Sequence, residues 1–117
     1  IEHPARSPAV QGRMLYADGN RWQGQPVMMT EYGGIAFADG NEESWGYYGK
    51  VRDQQEFMAR LEPVNRFLIR SGKFAGFCYT QLTDVMQETN GLLTEDRQPK
   101  LPPEELKKTF GLPVYGL

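Results

Sequence analysis

The chain reads as an α/β protein with parallel strands, because two apolar strand signals each lead through a loop into a helix signal. Three segments carry that reading. They are the run Pro26-Val27-Met28-Met29-Thr30, the aromatic run Phe74 to Leu82, and between them Phe57, Leu61, Val64 and Leu68 at helical spacing. A helix in the crossover between two strands makes them parallel neighbours in one sheet, and such sheets carry their functional groups at the strands' carboxyl ends.

Residues 1–24 are rich in Pro, Gly, Arg, Asp and Asn and predict an irregular connection with a short turn near Met14 to Tyr16. Val27 to Thr30 is a short apolar strand, and two-residue alternation puts Val27, Met29 and Glu31 on one face. Tyr32 to Arg52 has five glycines among aromatics and acids, too many for a helix and too long for a simple connection. At Asp53 a helix starts: Asp53 is an N-cap, and Glu56, three residues on, is placed to reach back to the cap N–H. Its core residues are Phe57, Leu61, Val64, Phe67 and Leu68, and Gly72 stops it. Pro63 removes a hydrogen bond and crowds the carbonyl of Ala59, so a kink or break is expected near Leu61 to Glu62. After the second strand comes the polar stretch Thr83 to Asn90, with Asn90-Gly91 read as a turn. Pro102 and Pro103 then open a short helix toward Phe110, stopped by Gly111. The organisation expected is a connection over 1–24, two strand–helix units over 25–110 and a tail over 111–117.

The 117 residues suit one modest domain, with 39% hydrophobic residues and 13 basic against 15 acidic side chains. No basic cluster is present to neutralise phosphates, and no apolar run approaches the ~18 residues that span a bilayer, so neither nucleic acid nor membrane is a predicted partner. Cys78 is the lone cysteine and His3 the lone histidine, which leaves no internal disulfide and no Cys/His zinc site; no cofactor is expected. The chain opens on Ile1 without a charged-then-apolar signal, the pattern of a processed product or a piece of something larger.

Glu31 is the strongest candidate for chemistry. It closes an apolar strand and precedes Tyr32-Gly33-Gly34, which gives a rigid support, a carboxylate at the rim, and backbone freedom for close approach of a ligand. The bland alternative is a strand-end carboxylate paired with Arg or Lys. Trp45, Tyr47 and Tyr48 offer aromatic faces for stacking on a ligand ring or for packing the loop down. Asp84 and Glu88 offer substrate contacts or, more commonly, turn capping. Asp96, Arg97 and Lys100 read as structural, fixing the approach to the last helix through ion pairs and carbonyl contacts.

The segments Pro26-Val-Met-Met-Thr-Glu-Tyr-Gly-Gly34 and Gly76-Phe-Cys-Tyr-Thr-Gln-Leu-Thr-Asp84, with the ending Asp96-Arg97-Gln98-Pro99-Lys100, resemble the last part of the catalytic barrel of glycoside hydrolase family 2. That family includes β-galactosidases, β-glucuronidases and β-mannosidases, and the similarity runs over roughly Trp22 to Phe110. It implies that the two strands are the seventh and eighth of a (β/α)8 TIM barrel and that Glu31, in its Thr-Glu-Tyr-Gly context, is the nucleophile of a retaining β-glycosidase. Such an enzyme needs a second carboxylate about 5–5.5 Å away as acid and base. In the family that glutamate follows an asparagine after the fourth strand, and here the one Asn-Glu pair, Asn41-Glu42, lies downstream of Glu31. A whole barrel takes about 250 residues. The resemblance thus implies a fragment, inactive alone, whose partners are a carbohydrate substrate, the rest of the barrel, or further copies of itself across exposed strand edges.

Where family members commonly carry a tryptophan in the eighth strand, alignment on Asp84 puts Thr80, so a stacking wall is expected from Tyr79 or Trp45. The Asn-x-Lys signature of glucuronidases does not occur between Val85 and Thr94, which counts against glucuronate. The candidate substrate contacts are therefore Tyr32, Trp45, Tyr79, Gln81, Asp84 and Glu88. Two other functions stay open: a small non-catalytic carbohydrate- or protein-binding module using the aromatic loops, and a self-sufficient small hydrolase pairing Glu31 with Asp84 or Glu88.

Overall fold

The apolar run after Pro26 and the aromatic run after Phe74 form the two longest strands, β1 (Met28–Gly33) and a parallel partner at Gly76–Thr80. These elements come from a computed structural model that describes residue 17, residues 19–37 and residues 43–111. The turn expected near Met14 to Tyr16, the Asn41-Glu42 pair, and all of the tail but Gly111 lie outside them.

In chain order the elements are β1, β2 (Ala36–Phe37), β3 (Lys50–Val51), α1 (Gln54–Arg70), β4 (Gly76–Thr80) and α2 (Pro103–Thr109). Among the described residues β1 pairs with β4 and β2 with β3, both parallel. The molecule is thus a small mixed α/β structure with two short parallel sheets. Parallel pairing of the two long strands follows the strand–helix–strand order. β2 and β3 have no clear signal in the sequence, because two-residue strands are too short to show alternation. They turn the expected long loop into a folded one.

Helix α1 starts as its sequence dictates, with Asp53 accepting a hydrogen bond from the Glu56 N–H at 2.8 Å. The return bond differs by one residue from the expected capping box. Glu56 Oε2 accepts from the N–H of Arg52 at 3.0 Å rather than from that of Asp53. Pro63 does not break α1, which runs through to Arg70. Both Pro63 and Ala59, whose carbonyl loses its donor, are exposed, so that carbonyl sits on the water side of the helix while the opposite face stays packed. Gly72, at φ +64°, follows the helix end in the left-handed conformation open to glycine.

The packed face of α1 is Phe57, Leu61, Asn65 and Leu68, in place of the expected Phe57, Leu61, Val64, Phe67 and Leu68. Val64 is 43% and Phe67 53% exposed, whereas Asn65 is fully buried. Asn65 is tolerated there because both ends of its amide are used. Its Oδ1 accepts from the Tyr32 hydroxyl at 2.7 Å, and its Nδ2 donates to the Thr109 carbonyl at 3.4 Å, which ties α1 to β1 and to α2. Around it Tyr32, Ile35, Val51, Phe57, Leu61, Leu68 and Leu101 form the core, with Phe77 and Tyr79 of β4 packed against them. Burying each large apolar side chain contributes about 1.5–3 kcal/mol.

The β1–β4 sheet therefore has one covered face. Met29, Tyr32, Phe77 and Tyr79 lie against the core, while Met28, Thr30, Glu31 and Cys78 are exposed.

Candidate functional site

Glu31 owes its position to an irregularity in the β1–β4 ladder. Met29 pairs with Phe77 and Tyr32 with Tyr79, so three steps along β1 match two along β4, and Thr30 and Glu31 together face Cys78. This is a β-bulge. It resets the alternation: Met29 and Tyr32 both turn to the core and Glu31 is exposed, so Glu31 does not share the face of Met29 as strict alternation predicts. Bulges re-aim side chains and are over-represented beside active sites.

The residue after Glu31 is its anchor. Tyr32, read from the sequence as a substrate contact, is 8% exposed and gives its hydroxyl to Asn65. Its ring meets those of Phe77 and Tyr79 edge-on at 5.9 and 5.6 Å. Tyr79 is turned inward as well. It stands edge-on to Phe110 at 5.9 Å and donates to the Asn90 carbonyl at 3.3 Å, so it packs the core instead of forming a sugar wall. Burial pushes both phenols well above the ordinary tyrosine value, with the proximity of Cys78 adding to Tyr32 and that of Tyr32 adding to Tyr79.

The two glycines after Tyr32 serve these rings rather than leaving room for a ligand. A Cβ on Gly33, at φ +102°, would lie 2.2 Å from the Tyr79 ring, and one on Gly34, at φ +62°, would lie 2.8 Å from Tyr47 Cβ.

Beyond β4 the chain is clamped by a charged pair. Lys100 Nζ donates to Asp84 Oδ1 at 2.5 Å and to the Thr89 carbonyl at 2.9 Å, with about a tenth of either side chain exposed (10% and 11%). Asp84 Oδ1 also accepts from the Gly91 N–H at 2.8 Å. Asn90-Gly91 is accordingly more than a surface turn: Asn90 is fully buried, and a Cβ on Gly91 would meet the Asp84 nitrogen and the Thr83 carbonyl carbon at 2.4 Å. Glu88 accepts from the Asn90 amide at 3.2 Å. Asp96 takes the Thr94 hydroxyl, and Arg97, at φ 66°, donates its N–H to the Thr94 carbonyl at 2.9 Å. Gln81 Nε2, Thr89 Oγ1 and Asn90 Oδ1 are enclosed without a hydrogen-bond partner among the described residues.

The aromatic loop is bonded to this clamp. The Trp45 N–H donates to the Gln87 carbonyl at 2.7 Å, and the Thr89 N–H donates to the Trp45 carbonyl at 3.0 Å. Trp45, Tyr47 and Tyr48 are all exposed. The structure thus gathers Glu31, Trp45, Asp84 and Glu88 onto segments joined at the carboxyl ends of β1 and β4. It separates from them Tyr32 and Tyr79, which face the core. Sequence reading passed over Asn65, although a polar residue within the Phe57–Leu61 stripe, eight positions from Phe57, is a signal of its own.

Among the described residues no three His, Cys, Asp or Glu side chains are placed to hold a metal, and no helix is long and apolar enough to cross a membrane. A groove of about 300 Å³ between α1 and α2, lined by Met58, Arg66, Ile69, Glu105 and Lys108 among others, includes none of the candidate residues.

No family model matches the chain, and neither does any curated protein. Among solved structures it is similar to the β-glucuronidase of Bifidobacterium dentium, described in complex with coumarin-3-O-glucuronide, at 30% identity and a TM-score of 0.42. The similarity covers 78% of this chain and 16% of that one, so the chain spans about a sixth of that protein's length. It is a distant and partial likeness to a glycoside hydrolase.

Proposed function

We propose that the chain is the nucleophile-bearing segment of a retaining β-glycosidase barrel, covering its last two strand–helix units. The observation that carries this is Glu31 itself: a carboxylate in the sequence Thr30-Glu31-Tyr32-Gly33, exposed on a bulge of a parallel strand, with the adjacent Tyr32 fixed in the core. Such a support holds the carboxylate still while its oxygens remain free to attack. Glu31 would attack the anomeric carbon as the bond to the leaving-group oxygen breaks, and that oxygen would take a proton from a second carboxylate about 5–5.5 Å away. Water then cleaves the glycosyl ester, giving its proton back to the second carboxylate and releasing Glu31.

The two acids closest in role are engaged in structure. Asp84 is clamped by Lys100 and the Gly91 N–H, and Glu88 holds the Asn90 amide. This supports a second carboxylate from outside the described residues and a chain that does not hydrolyse glycosides alone. The missing Asn-x-Lys between Val85 and Thr94 supports a β-glycoside other than a glucuronide.

In an enzyme that contains this chain, Glu31→Gln should lower kcat by at least about a thousandfold, as removing a nucleophile does. A 2-deoxy-2-fluoro β-glycoside should leave its sugar on the Glu31 peptide, read by mass spectrometry. A label on another residue overturns the assignment. Robust turnover of aryl β-glycosides by the isolated chain, lost in Glu31→Gln, overturns the need for an outside carboxylate. The exposed aromatic loop favours one other reading, a carbohydrate-binding module without catalysis; glycoside binding without turnover by the containing protein would establish it.

A further inference from the structure

We infer that Trp45 and Tyr47 form a pre-built aromatic wall that binds a ring of the glycoside held at Glu31. The inference rests on the glycosidase reading for its ligand and on separate geometry for its place. The two rings meet edge-on, with centroids 5.1 Å apart and planes at 85°, and they stay 43% and 61% exposed. Exposed aromatic rings on soluble proteins are ordinarily mobile side chains on the surface, but here the backbone beneath them is locked on both sides. On one side Tyr47 lies over Gly34, and Gly46 packs so closely that a Cβ there would come within 2.6 Å of the Gly34 carbonyl oxygen and 2.8 Å of Ala36. The Tyr48 N–H donates to that same Gly34 carbonyl at 3.0 Å, and the Ala36 N–H donates to the Gly49 carbonyl at 3.0 Å. On the other side Trp45 is bonded through both its backbone groups to Gln87 and Thr89 of the segment after β4.

The wall therefore joins the two strand ends at the edge where parallel α/β sheets carry their sites. Gly34, on which Tyr47 rests, is three residues beyond Glu31, at most about 10 Å along an extended chain. The backbone on which the wall rests therefore lies within about 10 Å of the backbone that carries Glu31. Exposed Val85 and Met86, at 52% and 76%, continue the apolar rim on the bonded segment. An apolar corner of two mutually perpendicular rings on a fixed backbone suits a pyranose or aryl ring, which can lie on the face of one ring and against the other with little side-chain freedom lost on docking.

The test uses the 117-residue chain and the indole N–H resonances of its two tryptophans, Trp22 and Trp45, assigned through Trp45→Phe. Phenyl and methyl β-D-glucopyranosides, β-D-galactopyranosides and β-D-mannopyranosides are titrated in turn. The expected result is a saturable shift of Trp45 with at least one of them while Trp22 stays in place. Tyr47→Ala should weaken that binding at least about fivefold, which is about 1 kcal/mol at 25 °C, and Tyr47→Phe, which keeps the ring and the fold, should retain it. A response to phenyl glycosides alone places the leaving group on the wall, whereas a response to methyl glycosides as well places the sugar there. A Trp45 resonance unmoved by all six, or binding unchanged in Tyr47→Ala, overturns the inference. If Trp45 binds while Glu31 proves dispensable for turnover, the wall stands and the nucleophile assignment falls; if Glu31 is essential and Trp45 silent, the reverse holds.

Discussion

Glu31 is exposed although it neighbours a residue sunk in the core, and the single extra residue in the β1–β4 ladder makes both possible. The same economy of space recurs at Gly91, where no side chain fits against the Asp84 nitrogen. Gly91→Ala should cost at least about 2 kcal/mol, since the obstruction is backbone and cannot swing aside; a fall in the urea midpoint measures it. Titration of the buried phenols gives a second test. Tyr32 and Tyr79 hold their protons more tightly folded than unfolded, so their contribution to stability is complete below the unfolded value of 10.0 and is lost as pH rises above it toward their folded values. Thermal unfolding followed from pH 8 upward should show Tm falling beyond about pH 10, less steeply in Tyr79→Phe.

Helix α1 is the element that ties the candidate site to the core. Its packed stripe reaches the sheet through the Asn65–Tyr32 hydrogen bond and α2 through the Thr109 carbonyl. The exposed Pro63 is its weak point, because the helix continues with one backbone bond missing. Pro63→Ala restores a donor facing the Ala59 carbonyl and should stabilise the chain by about 1–3 kcal/mol, read as a higher urea midpoint. The ion pairs along the exposed side, Glu56 with Arg60 at 2.7 Å and Glu62 with Arg66 at 2.6 Å, add little by comparison.

At the scale of the whole molecule the two-stranded β1–β4 sheet has strand edges and one face that the described residues do not cover. Exposed edges of paired strands invite further pairing. The isolated chain should therefore self-associate in a concentration-dependent way. Light scattering across a dilution series checks this, and a monomer at every concentration would count against an incomplete sheet.

Some of this was legible in the residues. Asp53 as N-cap, the stops at Gly72 and Gly111 and the parallel partnership of the two apolar runs all follow from local pattern, because caps, breakers and strand–helix order act over a few residues. What the pattern misread were places where distant segments meet. Val64 and Phe67 are as apolar as Leu61, yet Asn65 holds the core position because a tyrosine 33 residues away supplies its partner. Alternation put Glu31 beside Met29, and a bulge set by the register of β4 separated them. Gly33 and Gly34 looked like space for a ligand, and the rings of Tyr79 and Tyr47 occupy it. The sequence by itself determined the caps, the helix stops and the parallel order of the segments that flank the Glu31 carboxylate. Only the tertiary structure decided where that carboxylate faces and which aromatic rings stay exposed near it, because both depend on contacts between residues far apart in the chain.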